Sequence, residues 1–149
     1  MKTLKIEPPV YLFLSIAIIL LLHFLLPGTR VLPFPWNLLG IIPLVLGIVM
    51  NLVADRSFKK NETTVKPLEE STALVTDGVF RFSRHPMYLG FVLILLGIAS
   101  LMGSLTPFVI VFGFAIFMHI VFMAFEEKKL EETFGEVWLE YKKKVRQWI

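Results

Sequence analysis

Two clusters hold the residues whose types and spacing suit chemistry: Arg81-Phe82-Ser83-Arg84-His85-Pro86-Met87-Tyr88, and Glu126-Glu127. Between them, residues 85–125 contain no Asp, Glu, Lys or Arg. Ionisable groups at the margin of so apolar a run are costly unless paired or wet, which makes them functional candidates. Pro86 suits the first turn of a helix. The amides near Met87 and Tyr88 then face outward with partial positive charge and suit an anionic group. Glu126 and Glu127 are expected at a helix C-terminus, where the dipole disfavours carboxylates, so each needs a cation. A plain Arg84–Glu127 salt bridge closing a hairpin accounts for the same residues without any ligand. His119 precedes Glu126 by seven residues, two turns away on roughly the same face. It either lines a cavity leading to the polar site or hydrogen-bonds between helices. His23, towards the opposite surface, reads as interfacial. The three histidines lack metal-ligand spacing, so no metal site is expected. With no cysteine in the chain, thiolate catalysis and disulfides are excluded.

The elements that must position these residues are written in the charge pattern. The chain has 149 residues, 56% of them apolar, with mean hydropathy +0.72. Charge is absent from residues 8–29, 31–54 and 85–125, windows of 22, 24 and 41 residues. A crossing takes about 20 mostly apolar residues, so the windows accommodate one, one and two spans. The expected fold is all-α and polytopic, with about four transmembrane helices in a single domain, residues 1–149. The first helix is expected over Pro9–Leu26 and is retained, since "LLPGTR" has no small-x-small cleavage site. The second is expected over Leu38–Ala54 with a kink at Pro43, followed by a long polar connection, residues 55–85. The turn residues "GSLTP" (103–107) make helices three and four a tight hairpin, which brings the two polar clusters to one side.

Basic residues set the orientation. Lys2 and Lys5, then Arg56, Lys59, Lys60, Lys66, Arg81 and Arg84, then Lys128, Lys129, Lys142, Lys143, Lys144 and Arg146 fall on one side, against Arg30 alone on the other. The positive-inside rule puts both termini and the long connection in the cytoplasm. The net charge of +3 reads as this signal, and no nucleic-acid partner is implied. After Phe125 the chain is amphipathic: Leu130, Phe134, Trp138, Tyr141, Val145 and Trp148 recur at steps of three and four. Such a basic helix with tryptophans lies along a membrane surface or docks on the rest of the protein. Gly135 weakens or divides it.

With the order complete, "LVTDGVFRFSRHPMYLG" followed by "FEEKKLEETFGEVWLEYKKKV" resembles the integral-membrane methyltransferases, including isoprenylcysteine carboxyl methyltransferase and the phosphatidylethanolamine N-methyltransferases. The shared pattern, Arg-His-Pro-x-Tyr, an apolar hairpin and then Glu-Glu, reads here as Arg84-His85-Pro86-Met87-Tyr88 and Glu126-Glu127, and the likeness covers about residues 60–148. It implies S-adenosyl-L-methionine as cofactor, held by Thr72, Ala73, Leu74, Val75, Phe80, Arg84, His85, Pro86, Met87, Tyr88, Glu126 and Glu127. Glu126 is the first choice of the two acids, and His85, Glu126, Glu127 and His119 are the catalytic candidates. It also implies a lipophilic acceptor, a carboxylate or an amine, taken from the bilayer at the cytoplasmic face. The arginine that precedes the glutamates by about one turn in the isoprenylcysteine enzymes is missing from "HIVFMAFEE", which disfavours a prenylcysteine carboxylate. Two alternatives share these residues: a non-catalytic membrane protein whose cluster only closes the hairpin, and a nicotinamide-dependent reductase of the same superfamily.

Overall fold

The computed structural model describes residues 6–26, 28–64, 69 and 71–149. Lys2, Lys5 and Lys66 of the basic set lie outside the described residues. Helix α1 is Pro8–Leu25, opened by Pro8 and Pro9 in its first turn. A 3-10 turn, Trp36–Gly40, leads into α2, Ile41–Lys60. Pro43 therefore falls in the first turn of α2, where its missing N–H is tolerated, and not in the helix interior as expected. A second 3-10 turn, Gly78–Arg81, precedes α3, Pro86–Met102. Helix α4, Leu105–Phe117, passes through a π-helical turn, Met118–Met123, into α5, Ala124–Phe134, and α6 is Glu136–Lys144.

Three runs, Pro8–Leu25, Trp36–Lys60 and Leu105–Phe134, are long and apolar enough to cross a membrane, and Pro86–Met102 is a shorter apolar helix of 17 residues. At 1.5 Å per residue that last helix spans about 25 Å, near the lower limit for a crossing. The outer surface is apolar: Phe13, Phe24, Leu46, Leu52, Phe112, Ile116 and Ile120 are all exposed. Only a lipid solvent accommodates such an exterior, and the chain is a polytopic membrane protein.

Helix α3 is the centre. Its Tyr88, Phe91, Leu95 and Ala99 join Leu12 and Ile19 of α1 and Val111, Phe114, Met118, Phe122 and Met123 of the last run in one buried cluster. Its other side takes α2 at very short range. A Cβ built on Gly97 would stand 2.7 Å from the Gly40 carbonyl oxygen, and one on Gly47 2.5 Å from that of Gly90. Without a hydrophobic force between helices in lipid, such small-residue contacts are what hold them together. The hairpin turn is made by Gly103, in the left-handed region at φ 72°. Its carbonyl accepts the N–H groups of Val31 and Leu32, and Leu105 N–H donates to Thr29. His23 Nδ1 meets Ser104 Oγ at 2.9 Å. The α1–α2 connection is thus stitched to the α3–α4 turn at the end away from the polar clusters.

Two boundaries differ from expectation. Helix α2 continues six residues past Ala54, because Asp55 and Lys59 pair at 2.6 Å across one turn and extend the helix beyond the apolar window. The last apolar run does not stop at Phe125, so Glu126 and Glu127 lie in the first turn of α5 and not at a helix C-terminus. Their need for cations comes from burial, not from the dipole. Gly135, at φ 52°, divides α5 from α6 as expected. Helix α6 turns its aromatic face inward, with Trp138 and Tyr141 buried. That face docks on the protein.

Candidate functional site

Four segments converge at the polar end. Tyr141 Oη donates to the Phe80 carbonyl at 2.6 Å. Burial pushes the Tyr141 hydroxyl well above its ordinary pKa, so it stays a donor. Arg84 N–H donates to the Arg146 carbonyl, and the Ser83 hydroxyl to that of Gln147 at 3.2 Å. Ser83 Oγ also accepts the His85 N–H at 3.2 Å. The segment 80–85 is thereby fixed between the C-terminal tail on one side and α3 on the other.

At its centre stand two cations and two acids. Glu127 Oε1 lies 3.2 Å from Arg84 Nη2 and 3.2 Å from His85 Nε2, while its Oε2 is 3.6 Å from Lys142 Nζ. His85 Nδ1 faces Glu126 Oε2 at 3.6 Å. Burial opposes a charge on His85, but contacts with Glu126 and Glu127 outweigh it and raise its pKa above the ordinary 6.5. The two acids thereby favour the protonated imidazole, which lies between them. The Arg84 guanidinium lies 5.7 Å from the Trp138 ring, a cation–π contact. Part of the cluster stays unmatched: Arg84 Nε and Nη1 and Glu126 Oε2 are buried with no hydrogen-bond partner. Unsatisfied buried polar atoms are expensive and call for a reason.

Two adjoining cavities border the cluster. One, of about 270 Å³, is lined by Glu7, Pro8 and Pro9 of α1, Asp55 and Phe58 of α2, Phe80, and Arg84, His85, Pro86, Met87, Tyr88, Phe91 and Glu126. The other, of about 40 Å³, is lined by Ala73, Leu74 and Val75 with Lys129, Thr133, Trp138 and Tyr141, among others. Phe58, Phe80, Arg84 and Glu126 line both. Arg84 and Glu126, the residues that carry the unmatched atoms, are therefore shared by both linings.

Most of the expected site residues are brought together. Ala73, Leu74, Val75, Phe80, Arg84, His85, Pro86, Met87, Tyr88 and Glu126 line one cavity or both. Thr72 does not: it is exposed, and its hydroxyl donates to the Glu62 carbonyl at 3.0 Å. Glu127 lines neither cavity and serves the ion-pair cluster. His119 is also elsewhere, exposed on the outer surface with its ring stacked on Trp148 at 6.5 Å. The π turn Met118–Met123 explains this displacement. It under-winds the helix between His119 and Glu126, so a spacing of seven no longer returns to the same face. Sequence reasoning missed Asp55 and Phe58, which were assigned to a connection, and Lys142, Trp138 and Tyr141, which were read only as an amphipathic face. The Asp55–Lys59 spacing was the one available signal for the first pair.

A model of the phospholipid methyltransferase family matches residues 36–137, more than half of the chain. The chain belongs to the phospholipid methyltransferase family. This family member is also similar to a protein-S-isoprenylcysteine O-methyltransferase of Schizosaccharomyces pombe, with 37% identity over 75 residues. That match covers 48% of this chain and 30% of the yeast protein, so the chain matches under a third of its relative's length. No solved structure matches. Within this phospholipid methyltransferase family member, the matched span contains most of the larger cavity's wall and both glutamates. Glu7 and the α6 residues Trp138, Tyr141 and Lys142 fall outside it.

Proposed function

We propose that the chain transfers a methyl group from S-adenosylmethionine to a lipophilic acceptor, an amine or a carboxylate, at the cytoplasmic face of the membrane. One observation carries the reading: Arg84, with two guanidinium nitrogens lacking a hydrogen-bond partner, and Glu126, whose Oε2 has only the 3.6 Å ion-pair contact with His85, both line two adjoining cavities. That donor set complements an amino-acid zwitterion, with Glu126 for the ammonium and Arg84 for the carboxylate. When bound, S-adenosylmethionine supplies an electrophilic methyl group on a sulfonium. The aromatic faces of Phe58, Phe80, Tyr88 and Phe91 suit a sulfonium centre, and with Pro86 and Met87 they exclude water from it.

The chain's own part is then chiefly positioning. A carboxylate acceptor needs no base. An amine acceptor must lose a proton, and the carboxylates lining the larger cavity, Glu7, Asp55 and Glu126, are groups able to take it. His85, in contact with both acids, orients the Glu126 carboxylate. The rival in which the cluster only closes the hairpin gives no account of the Arg84 nitrogens left without a hydrogen-bond partner.

The test is titration calorimetry of the detergent-purified chain with S-adenosylmethionine and its demethylated product, followed by radiolabelled methyl transfer into a lipid extract. Saturable binding and a labelled lipid product are expected. A chain that stays folded and binds neither nucleoside would sink the proposal. The cytoplasmic placement has its own check, made clean by the absence of cysteine. In intact cells, an impermeant thiol reagent added outside should label Trp36→Cys and not Lys143→Cys; the reverse pattern inverts the topology.

A further inference from the structure

Arginine and carboxylate pair most strongly as a two-pronged fork, each oxygen meeting one nitrogen of the guanidinium edge. Arg84 and Glu127 do not form that fork. Glu127 Oε1 meets Arg84 Nη2 at 3.2 Å, whereas Arg84 Nη1 and Nε have no partner. The second oxygen of Glu127 is instead turned to Lys142 Nζ at 3.6 Å, and that ammonium also lies 3.7 Å from Glu131 Oε2. On α6, Trp138 neighbours both Tyr141 and Lys142, at spacings of three and four. The Trp138 ring backs the guanidinium, and Tyr141 anchors the Phe80 carbonyl. Helix α6 therefore backs the Arg84 side chain through Trp138 and holds its counter-ion through Lys142. Lys142 lies beyond the residues matched by the family model.

We infer that Lys142 is a positioning residue of the site: by engaging the second oxygen of Glu127 it prevents Arg84 from closing a fork, and so keeps the remaining guanidinium donors available to a ligand carboxylate. The inference rests on the methyl-donor reading above. It also gives the adjacent glutamates separate tasks, Glu126 facing the ligand and Glu127 holding the cations that frame it. Loss of the ammonium frees Glu127 to capture Arg84 Nη1, which withdraws the donor from the cavity wall.

The test uses the full chain in detergent and two probes, S-adenosylhomocysteine and 5′-methylthioadenosine, which is the same nucleoside thioether without the amino-acid end. Lys142→Met is expected to weaken S-adenosylhomocysteine about five-fold, the scale of a half-exposed ion pair acting through a more buried one. Binding of 5′-methylthioadenosine should change less than about two-fold, because it has no carboxylate for Arg84 to hold. Lys142→Arg should rescue the first probe, and Lys142→Gln should repeat the methionine pattern as an independent variant. Glu131→Gln removes the other partner of Lys142 without touching Glu127, and wild-type affinity is expected. If Lys142 merely docks α6, Glu131→Gln and Lys142→Met will act alike, or both probes will weaken together, and the inference is overturned. Failure of the wild-type chain to bind either probe is a different result, which removes the methyl-donor reading and this inference with it.

Discussion

Glu126→Gln lowers the affinity for S-adenosylhomocysteine by about thirty-fold while the purified chain keeps its melting temperature within a few degrees. The factor follows from losing a charge-assisted contact to the ligand ammonium, worth about 2 kcal/mol where water is excluded. Glutamine keeps the shape, and within the chain Glu126 Oε2 gives up only its 3.6 Å contact with His85 Nδ1, an imidazole that Glu127 also engages at 3.2 Å. The neighbouring substitution should behave differently. Glu127→Gln strips the shared counter-charge from Arg84 and His85, whose side chains are only 9% and 2% exposed. Uncompensated buried charge costs about 3–5 kcal/mol, so this variant is expected to lose stability first and binding as a consequence. Calorimetry and thermal melting on the same preparations separate the two effects. A folded Glu126→Gln chain that binds normally, beside a folded Glu127→Gln chain that does not, would exchange the roles assigned here.

How much of this was legible in the sequence can be judged residue by residue. The charge-free windows located the spans, because a bilayer core tolerates few charges and the chain shows where they stop. "RHPMY" and "EE" were brought together by a hairpin whose turn, Gly103-Ser104, was visible as "GSLTP". The residues that depend on a local twist were not visible. His119 was placed by ideal α-helical arithmetic, and one π turn carried it to the outer surface, stacked on Trp148. Nothing in "MHIVFM" marks that turn. The division between Glu126 and Glu127 was equally hidden, since adjacent helical residues point about 100° apart and only the packing decides which one meets the cavity. Lys142 read as one of several solvated lysines. Its significance comes from the α5–α6 break at Gly135, which folds α6 back beside Glu127. Asp55 and Phe58 were lost for a simpler reason: the helix outlasts its apolar stretch, and hydropathy reports only the stretch.

Gly97→Leu is expected to lower stability by about 3 kcal/mol or more and to abolish cofactor binding, although Gly97 lines neither cavity. A Cβ at this position meets Leu44 Cβ at 2.6 Å, and the Gly40 carbonyl oxygen and Leu44 backbone nitrogen at 2.7 Å. Two of those three atoms are backbone, which cannot swing aside as a side chain does. The helices must therefore separate, and over-packing of this kind costs at least 1–3 kcal/mol before any loss of neighbouring contacts. Those contacts matter more here than in a soluble core, because lipid replaces a lost helix neighbour without a hydrophobic penalty to restore the pair. Displacement of α2 also moves Asp55 and Phe58, which form one wall of the larger cavity. The damage then reaches the site along a rigid helix. Gly113→Leu is the matched control: a Cβ there meets nothing within 4 Å, and the residue faces outward from α4. It should melt as the parent does, or slightly later, since leucine is the better helix former by about 0.8 kcal/mol. Thermal melting in detergent with parallel calorimetry decides the matter. Equal behaviour of the two leucine variants would mean that the close approach of α2 and α3 does not hold the cavity wall in place.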